Sequence, residues 1–186
     1  MLPNGTAKEW RSTVGVQLCV SCDIIPISSG DATPASDAVT PYTEVEMSVR
    51  EVFERGTIAF NAHDMDEFAG LMADNVEFKA PGVSGSGKAA CSAFYKSWLV
   101  AFPDGHVDVK RVELCGDMAV EEGTFTGTHK GVLTSSLGDI PATGKSVAID
   151  YIQVIRFREA KHASFNLSFD RLVLLDQLGL APAGSV

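Results

Sequence analysis

Residues 165–179 read FNLSFDRLVLLDQLG and join a strand pattern to a helix pattern. Phe165, Leu167 and Phe169 alternate with polar residues, as is typical of a strand with one buried face. Asp170 stands where a helix N-cap is favoured, and a leucine-rich run follows it until a glycine ends the pattern. The stretch therefore predicts the last strand of a curved sheet, which runs directly into a short closing helix.

The segments upstream change from helical spacing to strand spacing. Helical spacing predicts a helix at residues 46–61, a second helix after the capping pair Asp64 and Glu67, and a third at residues 88–102. Alternation predicts a short strand at residues 75–80 and four longer strands at residues 106–114, 118–128, 146–157 and 162–169, with a loop at residues 130–145. Helices followed by such strands indicate an α+β fold, in which three N-terminal helices cover a curved antiparallel sheet.

The composition is that of an acidic globular protein. The chain has 186 residues and a formal net charge of −9. We predict an irregular N-terminal extension at residues 1–44, one folded domain at residues 45–181 and a short tail at residues 182–186. The negative charge argues against nucleic acid and against a membrane as partners, because both present anionic surfaces.

The four cysteines are Cys19, Cys22, Cys91 and Cys115. Only one Cys-x-x-Cys pair occurs, without the second pair of a zinc site or the βαβ pattern of a redox motif. We therefore expect reduced thiols and a cytoplasmic protein. No cluster of His, Asp or Glu has metal-ligand spacing, and we expect neither a metal nor another cofactor.

The heptapeptide GVSGSGK at residues 82–88 fits the phosphate-binding pattern GxxxxGK. A nucleotide site of that kind needs a serine or threonine after the lysine to hold magnesium, and Ala89 stands there instead. It also needs parallel strands joined by crossover helices, whereas residues 106–169 contain no amphipathic helical pattern. We therefore interpret the stretch as a glycine loop that leads into a helix.

Several short stretches occur in a characteristic order along the chain. They are FNAHDMDEF at residues 60–68, AFPD at 101–104, GTHKG at 127–131, PATGK at 141–145, FD at 169–170 and QLGL at 177–180. With them, residues 47–180 resemble the SnoaL-like polyketide cyclase family of the nuclear transport factor 2-like superfamily. The resemblance implies a cone-shaped pocket between a curved sheet and three helices, a homodimer, and a hydrophobic small-molecule ligand.

The resemblance also locates the acid/base positions of the cyclases, and both differ in this chain. The aspartate on the last strand corresponds to Leu167, and a histidine on the preceding strand corresponds to Gln153. Leucine cannot accept a proton from carbon, and glutamine does not change its charge near neutral pH. If the chemistry is retained, another residue must act as the base.

The candidates for that base are Glu122, Glu121, His129 and Asp170. The two glutamates are adjacent, so one of them faces the concave side of the sheet, and we name Glu122 first. A carboxylate in an apolar cone would have a raised pKa and would be a stronger base. His129 lies at a strand end beside the long loop, and Asp170 is expected to cap a helix before it serves in catalysis.

The side chains predicted to contact the substrate are those of Tyr151, Gln153, Leu167, Phe165, Trp98 and Tyr95. The predicted function is a cofactor-independent cyclase or isomerase, which acts by acid/base chemistry on a hydrophobic, polyketide-like carbonyl compound. One alternative is a dimeric protein that binds an apolar metabolite without chemistry, which Leu167 favours. The other is an accessory subunit in which the cone is only a scaffold.

Overall fold

The computed structural model describes residues 41–135 and 138–181, with side chains from residue 49 onward. Most of the predicted extension at residues 1–44 lies outside this part, as do the tail at residues 182–186 and the cysteines Cys19 and Cys22. In chain order the elements are α1 (Pro41–Asn61), α2 (Met65–Gly70), β1 (Met72–Ala80), β2 (Val83–Ser86), α3 (Lys88–Ala101), β3 (His106–Cys115), β4 (Met118–Thr128), β5 (Ser146–Arg158), β6 (Lys161–Phe169) and α4 (Arg171–Gln177).

The described strands form a mixed sheet in the order β2-β1-β6-β5-β4-β3. Neighbours from β3 to β6 run antiparallel, as the alternation predicted, and β1 pairs with β2 in a hairpin. The pairing of β1 with β6 is parallel, which corrects the prediction of a purely antiparallel sheet. Most of the domain separates these two strands in the chain, so no hairpin dictates their relative direction. Helices pack against this curved sheet, and the predicted α+β class is confirmed.

Local signals explain where the helices begin and end. The first residue of α1 is Pro41, inside the predicted extension, and proline suits a first turn because its missing N–H would have no partner there. The Asp64 carboxylate caps α2 by accepting a hydrogen bond from the Glu67 N–H at 3.0 Å, as predicted. Among the helices of the described residues, none has the length and apolar character needed to cross a bilayer.

The glycine-rich stretch at residues 82–88 forms β2 and the first residue of α3 rather than a loop. Gly85 faces Phe78 on β1, where a Cβ atom would lie 2.6 Å from the phenyl ring. Glycine is required there to admit the ring, and its low strand propensity concealed the strand in the sequence. Lys88, the lysine of the phosphate-binding pattern, instead pairs with Asp74 at 2.9 Å.

The core lies between the helices and one face of the sheet. Trp98 on α3 is central to it, with ring centroids 5.2 Å from Phe125, 5.4 Å from Phe169 and 5.8 Å from Phe102. Aromatic contacts of this kind contribute about 0.5–1.5 kcal/mol each beyond the area that they bury. They hold α3 at the distance from the sheet that leaves space for the site described next.

Candidate functional site

A cavity lies between the helices and the inner face of the sheet, with a volume of about 100 Å³. Aromatic and aliphatic side chains make up most of its walls. The polar side chains along the walls include those of Thr57, Tyr95, Glu121, Tyr151, Gln153 and His162. An apolar cavity with a few well-placed polar groups is the usual form of a small-molecule site.

Glu121 carries the carboxylate among the residues that line this cavity. Glu121 lies on β4 opposite Gln153 on β5, and only 5% of it is exposed. The Tyr151 hydroxyl donates a hydrogen bond to its Oε1 atom. Burial raises the pKa of Glu121 above its usual value, and the hydrogen bond from Tyr151 reduces that rise without cancelling it. A carboxylate with a raised pKa is a stronger base than one in water.

Gly123, two residues after Glu121, provides the space that the Tyr151 side chain occupies. The two residues are paired across β4 and β5. A Cβ atom at Gly123 would lie 2.6 Å from the Tyr151 hydroxyl oxygen and 2.9 Å from the backbone oxygen of Asp108. The tyrosine therefore lies across the glycine, with its hydroxyl directed to Glu121. Burial, followed by the charge of Glu121, raises the pKa of Tyr151, so the hydroxyl keeps its proton and acts as a donor.

Tyr95 and Gln153 bring further hydrogen-bonding groups to the same end of the cavity. Burial raises the pKa of Tyr95 well above its usual value, and the neighbouring Cys91, Glu121 and Tyr151 add to the rise. A hydrogen bond with the Gln153 side chain acts on this pKa in the opposite direction. The hydroxyl of Tyr95 is therefore protonated at neutral pH and available as a donor.

An imidazole, that of His162, forms part of the cavity wall at the start of β6. Only 5% of His162 is exposed, and its ring packs edge-on against Phe157 and Phe68 with centroid distances of 5.2 and 6.1 Å. Burial lowers the pKa of His162 to about 4, so the imidazole is neutral at neutral pH. Its Nε2 atom has no hydrogen-bond partner among the residues that the structure describes.

The structure corrects the choice between the two adjacent glutamates. Glu121 faces the cavity, whereas Glu122 is exposed on the outer face of β4. Glu121, Gly123 and Phe125 share one face of the strand, and the burial of Phe125 shows that this face is the inner one. The phenylalanine was therefore a signal in the sequence that could have selected Glu121.

Neither His129 nor Asp170 lines the cavity. The ring of His129 is buried against Phe102, and its Nδ1 atom accepts a hydrogen bond from the Thr143 N–H at 3.3 Å. Burial lowers the pKa of this histidine. Asp170 is exposed before α4, where its carboxylate accepts a hydrogen bond from the Leu172 N–H at 2.8 Å. Their predicted role as bases is corrected accordingly, because the geometry assigns both residues to local structure.

Most of the residues that were predicted to contact a substrate line the cavity. They are Tyr95, Trp98, Tyr151, Gln153 and Leu167. Phe165 is buried beside the cavity, with its ring centroid 5.1 Å from Tyr95 and 5.7 Å from Phe78. Contact of these side chains with a ligand stays a prediction.

Strand alternation did not identify His162. When the inward pattern of Phe165 and Leu167 is continued backwards, Ala163 faces inward and His162 outward. The pairing of β5 with β6 shifts register after Arg156, and this bulge turns His162 to the inner face. The pattern of residue types around the hairpin carries no signal of the bulge.

A second hollow adjoins the cavity and has a volume of about 450 Å³. It lies between α3, the β1–β2 hairpin, α4 and the segment that follows β4. Phe94, Trp98 and Phe169 line both spaces. These three side chains therefore form a partition between the cavity and the hollow.

Comparison with known protein families gives a match over most of the folded part. The family described as SnoaL-like domain matches residues 49–165. No curated protein matched the sequence at a significant level.

Solved structures share the fold at low sequence identity. A candidate SnoaL-like polyketide cyclase from Jannaschia sp. CCS1 superposes with a TM-score of 0.66 and 18% identity, over 79% of this chain and 100% of that one. IdmH, a candidate polyketide cyclase from Streptomyces antibioticus, superposes with a TM-score of 0.60 and 19% identity, over 70% of this chain and 98% of that one. An LEH-like epoxide hydrolase from M. tuberculosis superposes with a TM-score of 0.56 and 13% identity, over 72% of this chain and 90% of that one. Likeness at these identities establishes a common fold.

Proposed function

Because the chain belongs to the SnoaL-like domain family, we propose that it is a cofactor-independent cyclase or isomerase that acts on a hydrophobic, polyketide-like carbonyl compound. The observation that carries this proposal is the Glu121 carboxylate, which is buried in an apolar cavity and accepts a hydrogen bond from Tyr151. Glu121 would replace the family base, whose position corresponds to Leu167. Proton transfer is the chemistry for which such a carboxylate is suited.

In the proposed reaction, the ionised Glu121 removes a proton from the carbon next to the substrate carbonyl. The C–H bond breaks, its electron pair forms a carbon–carbon double bond, and the carbonyl oxygen becomes the oxygen of an enolate. If the substrate carries a C=C bond one carbon further on, the enolate is a conjugated dienolate. It can then take the proton from Glu121 at the far end of that double bond, which shifts the double bond and is an isomerisation. Alternatively, the enolate carbon forms a carbon–carbon bond to a second carbonyl carbon of the same molecule, which closes a ring, and the new alkoxide takes the proton from Glu121.

Hydrogen-bond donors close to the carboxylate would stabilise the enolate oxygen. The hydroxyl of Tyr95 and the amide of Gln153 are the donors at this end of the cavity. Once Glu121 holds the proton, the Tyr151 hydroxyl no longer faces a negative charge and can donate to the enolate as well. Donors that strengthen as charge develops lower the barrier in a site from which water is excluded.

The size of the cavity limits what it can hold. Its volume of about 100 Å³ is below the ~150 Å³ of an engineered cavity that binds benzene, so one small ring needs a slight outward movement of the walls. A larger substrate would need the partition of Phe94, Trp98 and Phe169 to open towards the 450 Å³ hollow. We propose that the reacting carbonyl enters the inner cavity, and that any part of the substrate for which the cavity has no room lies in the outer hollow.

Hydrogen exchange tests the proposed base without the natural substrate. Acetophenone has exchangeable hydrogens next to its carbonyl group, and their replacement by deuterium in D₂O is followed by ¹H NMR. We expect the wild type to accelerate exchange above the buffer rate and Glu121→Gln to lower the rate about 100-fold or more. Glu122→Gln alters the adjacent exposed carboxylate and is the matched control, which should retain the wild-type rate. Equal rates in the wild type and Glu121→Gln would exclude Glu121 as the base.

A binding protein without chemistry is the second candidate function. The observation that favours it is the apolar inner face of β6, where Leu167 and Phe169 line the cavity. In that case acetophenone would bind, but the wild type would not exchange its hydrogens faster than buffer. Glu121→Gln would then change neither the affinity nor the exchange rate.

We also propose that the protein is a homodimer in the cytoplasm. Ile152, on the outer face of β5, is 49% exposed, and a second copy of the sheet would remove this apolar surface from water. Light scattering after size-exclusion chromatography would measure the mass, and cell fractionation would test the compartment. We expect Ile152→Lys to produce monomers, whereas Ile58→Lys, at an exposed position on α1, would leave the dimer intact.

A further inference from the structure

His162 has an environment that ordinary packing does not explain. Its imidazole lies among Phe68, Phe157 and the backbone of α1, in an almost completely buried position. At Gly56 on α1, a Cβ atom would lie 3.1 Å from the His162 Cε1 atom and 3.5 Å from Nε2. The Cε1–Nε2 edge of the ring therefore faces Gly56, and both residues line the cavity.

The Nε2 atom of His162 is buried and has no hydrogen-bond partner among the described residues. A neutral imidazole carries its hydrogen on one ring nitrogen and a lone pair on the other. With the hydrogen on Nδ1, Nε2 would present its lone pair to a donor on a ligand. A buried acceptor without a donor is costly, and functional sites are where such groups persist.

His162 and Glu121 lie at different ends of the cavity. Glu121 pairs with Gln153 on β5, whereas His162 pairs with Phe157, four residues further along the same strand. That separation corresponds to about 13 Å along the strand direction, and β5 lies between the two strands that carry these residues. Both side chains line the same cavity, so they are placed to contact one bound molecule.

We propose that His162 Nε2 accepts a hydrogen bond from a hydroxyl group of the substrate, at the end of the cavity remote from Glu121. The proposal rests on the proposed function and specifies its substrate class: a carbonyl compound that also carries a hydroxyl group on the far side of an apolar ring or chain. The hydroxyl fixes the orientation in which the carbon next to the carbonyl meets Glu121. His162 is thus a positioning residue and takes no proton in the reaction.

Two matched pairs of ligands test this assignment by affinity. 4-Hydroxyacetophenone and 4-methoxyacetophenone differ in whether the oxygen opposite the ketone can donate a hydrogen bond, and phenol and anisole form a smaller pair. We expect the wild type to bind each hydroxyl compound about tenfold more tightly than its methyl ether, measured by NMR titration. The ¹⁵N resonance of His162 Nε2 should move on addition of the hydroxyl compound and not on addition of the ether.

Two variants separate hydrogen bonding from packing. His162→Phe keeps an aromatic ring against Phe68 and Phe157 and removes the acceptor, so the preference for the hydroxyl compound should disappear. His162→Gln keeps an acceptor oxygen and should retain part of the preference for the hydroxyl compound. If His162→Phe does not fold, the comparison of His162→Gln with the wild type tests the proposal. The proposal is overturned if neither pair is discriminated by the wild type, or if His162→Phe keeps the full preference. If Glu121→Gln loses the acetophenone hydrogen exchange but still prefers the hydroxyl compound over its ether, the role of Glu121 as base is supported independently of the role of His162.

Discussion

The hydroxyl of Tyr151 donates a hydrogen bond to the carboxylate of Glu121 inside the cavity, although 30 residues separate the two in the chain. The register of β4 and β5 produces this contact, because Gly123 lies directly opposite Tyr151 and leaves its ring room to reach the glutamate. The hydrogen bond between Tyr151 and the proposed base therefore depends on Gly123, a residue without a side chain.

Gly123→Ala should displace the Tyr151 hydroxyl from Glu121. The new Cβ atom would lie 2.6 Å from the hydroxyl oxygen, and a tyrosine ring cannot adjust at its far end without rotation of the side chain. We expect a loss of stability of about 1–3 kcal/mol from overpacking, measured by urea denaturation, and a fall in the acetophenone exchange rate. Tyr151→Phe removes the same hydrogen bond without a clash. If Gly123→Ala exchanges at the wild-type rate while Tyr151→Phe does not, the glycine does not position the tyrosine.

Glu121→Gln should stabilise the fold increasingly as the pH rises. Burial raises the pKa of Glu121 in the folded state, so the folded protein binds a proton that the unfolded chain has released. Stability associated with this group is therefore present at low pH and is lost as the pH rises through its folded pKa. Glutamine does not titrate and avoids that loss. Urea denaturation between pH 4 and pH 8 would measure the difference, with Glu122→Gln expected to follow the wild type.

His162 should make the protein sensitive to mild acid. Its pKa is lowered from 6.5 to about 4 on folding, so the unfolded chain binds a proton that the folded protein excludes. The free energy of unfolding should fall by about 3 kcal/mol on this account as the pH decreases from 6.5 to 4. His162→Phe should flatten this part of the pH profile, whereas the control His106→Gln, at an exposed position on β3, should not. An unchanged profile in His162→Phe would mean that other groups, such as the buried His129, govern the acid sensitivity.

Trp98→Leu should enlarge the site by removing part of the partition. The indole separates the 100 Å³ cavity from the 450 Å³ hollow together with Phe94 and Phe169. We expect the affinity for 2-acetonaphthone, relative to acetophenone, to increase about tenfold, because a second ring would fit into space that the indole occupies. The substitution should cost about 2–4 kcal/mol of stability. Val100→Leu, at an exposed position on the same helix, is the control, and equal relative affinities in both variants would contradict the partition.

Asp170→Ala should lower stability without affecting chemistry. The carboxylate accepts hydrogen bonds from the Leu172 and Val173 N–H groups at 2.8 and 3.3 Å, and loss of such a cap costs about 1 kcal/mol. Asp170→Ser retains a capping oxygen and should restore most of the stability. The acetophenone exchange rate of both variants should equal that of the wild type. If both variants exchange more slowly than the wild type, although Asp170→Ser is stable, Asp170 is a catalytic candidate again.

Sequence patterns predicted the strands that alternate cleanly. The boundaries of β3 to β6 agree with the prediction to within one residue, because each strand has a consistent inner face and short hairpins join β3 to β4 and β5 to β6. The alternation of inward and outward side chains along β4, counted from the apolar Phe125, would have distinguished Glu121 from Glu122. β2 was missed because glycine and serine dominate it, and its place in the sheet depends on the contact of Gly85 with Phe78.

Other features of the site depend on contacts that no local pattern reports. The inward turn of His162 results from a register shift between β5 and β6, and the size of the cavity depends on how closely α3 packs onto the sheet. The surroundings of His162 Nε2 likewise include Gly56 of α1, which is about a hundred positions away in the chain. Tertiary packing, rather than composition or periodicity, determines these properties.

The parallel pairing of β1 with β6 has a consequence for how the protein is made. During synthesis, β1 leaves the ribosome before most of the described sheet, yet its partner β6 is the last strand of that sheet to be translated. Until then the edge of β1 that pairs with β6 has no partner strand, and contacts of such long range form slowly. A nascent chain halted before Lys161 should therefore expose this edge to chaperones and remain susceptible to proteases, even though most of the domain has been completed.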